Sequence, residues 1–243
     1  SGLTHVDSAI QVLSLPLVFD SFAEVDYVRS HLDQQIKQHM AENGFIILGI
    51  TEGGFARFFS TKPIANLQQL KATKVWIPEG DELVQMTFDA LGIQPISLPI
   101  SDVFTGLQTG LIETIAATST GALAFQWHSK VNYMVDLPVI YVIGVFAVSK
   151  KSFDKIKPED QLIVKNEMTK VFQRLGEFNR QDNIDATAAL ENQNLELLKI
   201  SAQEKQNLKR LTNNAIQSMI DNASIDRDIV GTMLKHLQDF RNR

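Results

Sequence analysis

Apolar and polar positions follow a helical period near the start of this chain. Between Asp20 and Asn43 the apolar residues recur every three or four positions, which places them on one face of an α-helix. Gly44 comes next, and a glycine just past the last periodic residue is a common helix end. The run from Phe45 to Ile50 is almost entirely apolar and predicts a buried strand. This segment therefore predicts an alternation of helix and strand.

Short strands and helices continue through the middle of the chain. Ser101 is expected to cap one of these helices and Gly110 to end it. Such alternation is typical of α/β units, for which we predict mostly parallel strand pairing. The predicted strands cover 74–78, 94–99, 111–118 and 139–148, and the predicted helices cover 81–91, 101–110 and 121–131.

The last part of the chain, from Pro158 onwards, predicts helix almost throughout. Proline and an acidic residue, Pro158 and Glu159, suit the first turn of a helix. The helical pattern breaks at 195–201, where one short strand is expected. The C-terminal part is thus expected to be long and helical.

Composition narrows the class of protein. The 243 residues include 44% hydrophobic and 21% charged residues, as in ordinary globular proteins. The net charge of −5 and the lack of a Lys/Arg cluster argue against nucleic-acid binding. With no cysteine, disulfides, thiol catalysis and cysteine-ligated metals are excluded. The longest apolar run, Leu137 to Val148, is too short to cross a bilayer and is interpreted as a core strand.

Catalytic signatures are nearly absent. The sequence has no G-x-S-x-G elbow, no H-E-x-x-H, no phosphate-binding loop and no G-x-G-x-x-G. An enzyme on this scaffold would have to use Glu79, Asp81 and His128. The two carboxylates are better explained by the start of a helix, whose dipole and free N–H groups attract acids. We therefore predict a binding protein with no catalytic residue, metal or cofactor.

One block, from Leu70 to Thr114, carries a family pattern. Its elements occur in order as Leu70-Lys71, Lys74, Pro78, Ala90-Leu91-Gly92, Pro95, Pro99 and the run from Ser101 to Glu113. This block resembles the dicarboxylate-type solute-binding proteins of TRAP transporters, and weaker similarity extends over essentially the whole chain.

The resemblance implies a bilobed α/β clamshell in the periplasm that closes on a solute and delivers it to a membrane permease. We expect mixed sheets and a long helical C-terminal part. Residues 1–53 and 138–181 are assigned to what remains of the first lobe, and 54–137 and 182–243 to the second. The family's usual N-terminal strand–helix–strand unit is not found here, and the open sheet edge left by its loss would favour a homodimer.

Two departures from the family pattern concern the ligand. In that pattern an arginine occupies the position of Trp76 and binds the solute carboxylate, and an asparagine matches Ala117. Arg57 matches a second arginine position seen in some members. Without the guanidinium and the amide, a carboxylate would lose its charge-assisted hydrogen bonds. Tryptophan offers a large apolar face instead, so we predict an apolar or amphipathic ligand.

The predicted ligand-binding residues share the segments expected to border the crevice. Two other readings stay open: Trp76 plugs the cleft while another group holds a conventional organic acid, or the chain is a ligand-sensing domain. The loss of the carboxylate grip also resembles the subset of the family that works with a periplasmic TPR-repeat partner. The predicted residues are Phe55, Arg57, Trp76, Glu79, Ala117, Thr118, Ser119, Phe125, Trp127 and Tyr141.

Overall fold

A computed structural model describes residues 8–193 and 195–243 as a mixed α/β fold. Short 3-10 turns cover Ser8–Ser14, Ile100–Asp102 and Trp127–Lys130. The helices are α1 (Phe22–Glu42), α2 (Leu67–Lys71), α3 (Glu82–Ala90), α4 (Val103–Thr109), α5 (Ser119–Ala124), α6 (Lys150–Phe153), α7 (Pro158–Glu191), α8 (Ala202–Asp221) and α9 (Arg227–Arg241). The strands are β1 (Phe45–Ser60), β2 (Trp76–Pro78), β3 (Ile96–Leu98), β4 (Thr114–Ala117), β5 (Tyr133–Val135), β6 (Ile140–Ser149) and β7 (Glu196–Leu198).

Strand β1 organises the main sheet. It pairs antiparallel with β6 along most of the length of β6, and also antiparallel with β4 and β5. Among the described residues, parallel pairing joins β5 to β7 and β2 to β3, and an isolated parallel bridge joins Val75 to Thr114. The prediction of mostly parallel pairing was therefore wrong. The reason is that two long strands, β1 and β6, run directly against each other, and antiparallel neighbours need no helical crossover.

The length of β1 was also underestimated from the sequence, as six residues instead of 16. Between Thr51 and Arg57 its half-buried and buried positions alternate as a strand requires. The buried positions there hold Glu52, Gly54 and Ala56. Because none of these is a large apolar side chain, the period of two is invisible in the hydrophobic pattern.

The helix boundaries follow local capping signals. Helix α1 matches its prediction, and Gly44 follows it with φ of 86°. Pro158 begins α7 as predicted, and Gly110 ends α4 with φ of 71°. The expectation that Ser101 caps α4 was wrong. Ser101 lies inside the 3-10 turn before that helix, and its hydroxyl donates to Asp102 Oδ1 at 3.0 Å.

Three groups of buried apolar side chains hold these elements together. The first joins the Ser8–Ser14 turn to α1, α8 and α9. The second surrounds α3 and the inner residues of β2, and the third contains Trp76 and Trp127 with β4 and α4. No described helix combines the length and the hydropathy that a bilayer span requires. The second and third groups meet at β2, beside the cavity described next.

Candidate solute site

A cavity of about 300 Å³ opens where the Ser8–Ser14 turn approaches β2, α3 and β6. Most of its walls are apolar side chains. Ser14 fixes one wall, because its hydroxyl donates to the Tyr141 carbonyl of β6 at 2.8 Å. The lining residues are Ile10, Gln11, Ser14, Ala56, Trp76, Pro78, Asp81, Leu83, Val84, Phe88, Ala116, Ile140, Val142 and Ile143. We call this space the apolar cavity.

Trp76 forms part of the wall of the apolar cavity and is only 4% exposed. It is the first residue of β2 and pairs with Ile96 of β3. Its indole Nε1 donates to the Leu98 carbonyl at 3.0 Å, so the one polar atom of the ring has a partner. The ring meets Trp127 edge-on, with centroids 5.6 Å apart. These contacts fix the orientation of the indole.

The turn after β2 brings a carboxylate to the cavity. Pro78 ends the strand, Gly80 takes φ of 76° and Asp81 then caps α3 by accepting the Val84 N–H at 3.2 Å. Burial raises the pKa of the Asp81 carboxyl, an effect that the hydrogen bond from Val84 partly opposes. No Lys, Arg or His of the described residues lines this cavity. Among the described lining residues, the charged group that a bound anion would meet is the Asp81 carboxylate.

A second cavity, also of about 300 Å³, lies between β1 and α7 and is lined in part by the cationic side chain of Arg57. It borders the neighbouring positions of β1, Phe55 and Arg57, whereas Ala56 borders the apolar cavity. The Arg57 Nε is buried and has no hydrogen-bond partner among the described residues. Its other lining residues are Phe22, Asn183, Ile184, Thr187, Ala188 and Glu191. We call it the Arg57 cavity.

The structure brings some of the predicted ligand-binding residues together. Trp76, Trp127 and Ala117 pack in one buried group, and Phe125 stacks on Trp127 with centroids 4.8 Å apart. Of these, only Trp76 lines either of the two cavities. Ala117 pairs with Arg57 across β1 and β4. The three aromatic side chains Trp76, Trp127 and Phe125 thus extend from the wall of the apolar cavity to the surface, where Phe125 is exposed.

The remaining predicted residues have other surroundings. Thr118 caps α5, and the Ser119 hydroxyl lies 2.8 Å from that of Thr187. Tyr141 is buried, donates to Glu52 at 3.0 Å and lines neither of the two cavities. Glu79 is exposed, and His128 contacts the Ala122 carbonyl through Nδ1 at 3.0 Å. In the described residues nothing links that imidazole to Glu79 or Asp81, so the pattern needed for acid–base chemistry is not assembled there.

Sequence reasoning missed most of the cavity lining. Gln11 and Ser14 come from the Ser8–Ser14 turn, while Val142 and Ile143 come from a strand interpreted as core. One signal was available for β6, whose residues are strongly apolar. A strand that is buried on both faces needs a covering layer on each side, so an apolar strand with only one such layer would leave an apolar face for a cavity. For the N-terminal turn no signal pointed to the cavity.

A third groove, of about 610 Å³, lies between α1, β1 and α7 and is strongly charged. Its arginines are already paired. Arg29 binds Asp33 at 2.8 Å, and Arg180 binds both Asp26 and Glu52 at 2.8 Å. A solute there would compete with protein carboxylates for these cations, so we do not assign the site to this groove.

Curated relatives share part of their length with this chain. It is 28% identical over 158 residues to the uncharacterized protein YiiZ of Salmonella typhimurium, covering 63% of this chain and 47% of that protein. It is 27% identical over 157 residues to the C4-dicarboxylate-binding periplasmic protein DctP of Shewanella loihica, covering 63% and 45%. The chain thus spans about half the length of the curated relatives it matches.

Solved structures share the fold over almost the whole chain. A TRAP periplasmic solute-binding protein from Ochrobactrum anthropi, with its C-terminus bound in the ligand-binding pocket, superposes with a TM-score of 0.87 at 19% identity. That match covers 99% of this chain and 75% of the other. The sugar-acid-binding protein DctPAm from Advenella mimigardefordensis, bound to galactonate, gives 0.86 at 21% identity, with 98% and 76% covered. The fold is therefore that of TRAP periplasmic solute-binding proteins.

The family profile extends the match along the sequence. The profile of the bacterial extracellular solute-binding proteins, family 7 (DctP), matches residues 1–222. This is a family of transport proteins that bind solutes, and it is not an enzyme family. The chain belongs to the DctP family of bacterial extracellular solute-binding proteins.

Proposed function

We propose that this chain is the periplasmic solute-binding part of a TRAP-type transporter and that it binds an apolar or amphipathic solute in the apolar cavity. The observation that carries the proposal is the lining of that cavity, which includes Trp76 and no described cation. The partner that receives the solute is the TRAP membrane permease. A periplasmic TPR-repeat protein is a second candidate partner, suggested by the replacements at Trp76 and Ala117.

Desolvation decides against a carboxylate in the apolar cavity. Moving an unpaired anion out of water costs several kcal/mol or more, and charge-assisted hydrogen bonds must offset that cost. The apolar cavity offers no guanidinium and already contains the Asp81 carboxyl. Covering an apolar side chain instead gains about 1.5–3 kcal/mol. An apolar solute of matching size is therefore favoured there.

The Arg57 cavity supports a second candidate function, the binding of a small organic acid. Related structures contain acids: the DctPAm structure is bound to galactonate, and one from Desulfovibrio salexigens is bound to orotic acid. The buried Arg57 Nε without a partner is a donor that a carboxylate would satisfy. Asn183, whose amide donates to the Gly53 carbonyl at 2.7 Å, borders the same space. In this alternative Trp76 lines the apolar cavity and does not contact the solute.

One variant and its control test whether the solute binds in the apolar cavity. Ala116→Phe places a ring in the apolar cavity, and the exposed Ala124→Phe on α5 is its control. We expect at least a tenfold weaker affinity for 1-octanol in Ala116→Phe, because the ring occupies space that the probe needs. Ala124→Phe should bind like the wild type. Titrations followed by tryptophan fluorescence give both affinities, and native mass spectrometry reports co-purified hydrophobic molecules.

The opposite binding results would support the second candidate function, the binding of a small organic acid in the Arg57 cavity. A protein that purifies empty, ignores 1-octanol and binds succinate at micromolar affinity contradicts the apolar solute. Arg57→Met should then abolish succinate binding, whereas it should leave 1-octanol binding unchanged if the proposal holds.

A further inference from the structure

Among the described residues that line the apolar cavity, Asp81 has the one ionisable side chain. Its Oδ1 accepts the Val84 N–H at 3.2 Å, and none of the described residues donates to its Oδ2. The ion pairs formed among the described residues do not include Asp81 either. Among the described residues, Oδ2 of this carboxyl therefore has no hydrogen-bond partner, and the positive charge that acts on the carboxyl is that of the chain's N-terminus.

The other polar groups of this lining are mostly occupied. The Ser14 hydroxyl donates to the Tyr141 carbonyl, and the Trp76 indole donates to the Leu98 carbonyl. The Gln11 amide forms no hydrogen bond with the described residues and can both donate and accept. The strongest unused group is thus an acceptor with a negative charge, at one end of an apolar wall.

We propose that Asp81 makes the apolar cavity selective for amphipathic amines, whose cationic nitrogen pairs with Asp81 Oδ2 while the apolar part contacts Trp76 and Phe88. This inference rests on the proposed function, since it specifies the solute class for the same site. A carboxylate in a largely apolar site is unfavourable until a cation with hydrogen-bond donors reaches it. The rise in the pKa of Asp81 on burial agrees with this cost.

The same geometry sets an order among solutes of equal apolar length. An ammonium head group gains a charge-assisted hydrogen bond, an alcohol gains a neutral one, and a carboxylate meets a like charge. A charge-assisted bond is worth roughly ten- to a hundredfold in affinity. We expect octylammonium to bind more tightly than 1-octanol, and octanoate to bind least.

The test compares these three probes by calorimetry on the wild type and on Asp81→Asn. Asparagine keeps the helix cap, so α3 is retained. It removes the charge, so octylammonium should lose at least tenfold in affinity while 1-octanol changes by less than about twofold. Glu82→Gln is the matched control, because Glu82 is an exposed acid in the first turn of α3 that does not line the cavity. It should leave all three affinities unchanged.

The outcomes separate the inference from the proposed function. If 1-octanol and octylammonium bind equally well, or if Asp81→Asn leaves the order intact, the role of Asp81 is wrong and the apolar site stands. If Glu82→Gln weakens the binding of octylammonium as much as Asp81→Asn does, the loss of affinity comes from long-range electrostatics and the proposed role of Asp81 is again wrong. If none of the probes binds, the proposed function itself fails. Thermal unfolding of each variant verifies that it is folded.

Discussion

Trp76 connects the core to the candidate site. Its indole N–H is used within the protein, on the Leu98 carbonyl, and its ring packs on Trp127. A side chain held in this way acts as a rigid wall, since both its polar atom and its edge are already engaged. The residue therefore contributes shape and apolar surface to the cavity and no hydrogen bond to a solute.

Arg180 connects three elements through two carboxylates. Its guanidinium binds Asp26 of α1 and the buried Glu52 of β1, and Glu52 also accepts from Tyr141 of β6 at 3.0 Å. The two carboxylates raise the pKa of Arg180, and burial with the nearby Glu52 charge raises that of Tyr141. The network satisfies a carboxylate that would otherwise be buried alone.

We predict that Arg180→Met lowers the free energy of unfolding by about 3 kcal/mol, because it leaves Glu52 buried without its cation. Arg174→Met is the control, as this arginine of α7 is exposed and forms no ion pair with the described residues. It should change stability by less than about 0.5 kcal/mol. Urea unfolding measures both, and equal losses in the two variants would contradict the role of the network.

At the scale of elements, β1 and α7 depend on a close approach at Gly49. A Cβ at this position would lie 2.2 Å from the Phe172 ring of α7. Phe172 in turn stacks on Phe146 of β6, with centroids 6.1 Å apart. Since the ring has neighbours on both sides, it has little room to move away, and the glycine is required for the packing of the helix on the sheet.

We therefore expect Gly49→Ala to lower the unfolding free energy by about 1–3 kcal/mol through overpacking. Gly231→Ala in α9 is the matched comparison, since no atom lies within 4 Å of its added Cβ. It should raise stability by up to about 1 kcal/mol, because alanine favours the helix over glycine. Thermal unfolding of both variants checks the opposite signs; a neutral Gly49→Ala would mean that α7 shifts freely.

At the scale of the whole molecule, one face of α7 is apolar, half-buried at Val164 and Met168 and exposed from Val171 to Phe178. Val164, Met168, Val171, Leu175 and Phe178 are spaced four and three residues apart, so they share one side of the helix. Val171 is 53% and Phe178 61% exposed. Exposed apolar patches of this kind mark interaction surfaces, and the spacing is that of a seam between helices.

Homodimerisation stays a prediction, and this seam is where we expect it. Replacing Val171 and Phe178 together by serine should weaken self-association measured by sedimentation velocity, because both side chains would leave the seam. Because both are exposed in the monomer, stability should change by less than about 1 kcal/mol. Arg174→Ser with Gln181→Ser, two exposed polar positions of the same helix, should leave association unchanged. A wild-type protein that stays monomeric at every concentration would contradict this use of α7.

The sequence by itself determined the order of the longer helices and strands and several helix ends, because caps, glycines and hydrophobic period are local signals. It did not predict α2, α6 and β5, and the helix predicted over 121–131 is α5, which ends at Ala124 and is followed by a 3-10 turn. Asp81 before α3 and Pro158 at the start of α7 are recognisable without any neighbour in space. The Leu70 to Thr114 block likewise indicated the family that the profile match over residues 1–222 confirmed.

Tertiary structure alone decided the extent of β1 and the composition of the cavities. Glu52 can occupy a buried strand position only because Arg180, 128 residues further along the chain, reaches it, and no local pattern encodes that pairing. The apolar cavity likewise has walls from separate segments, such as Gln11, Trp76 and Val142. Which side chains face one another depends on strand register and helix docking, and these are set by packing over long sequence separations.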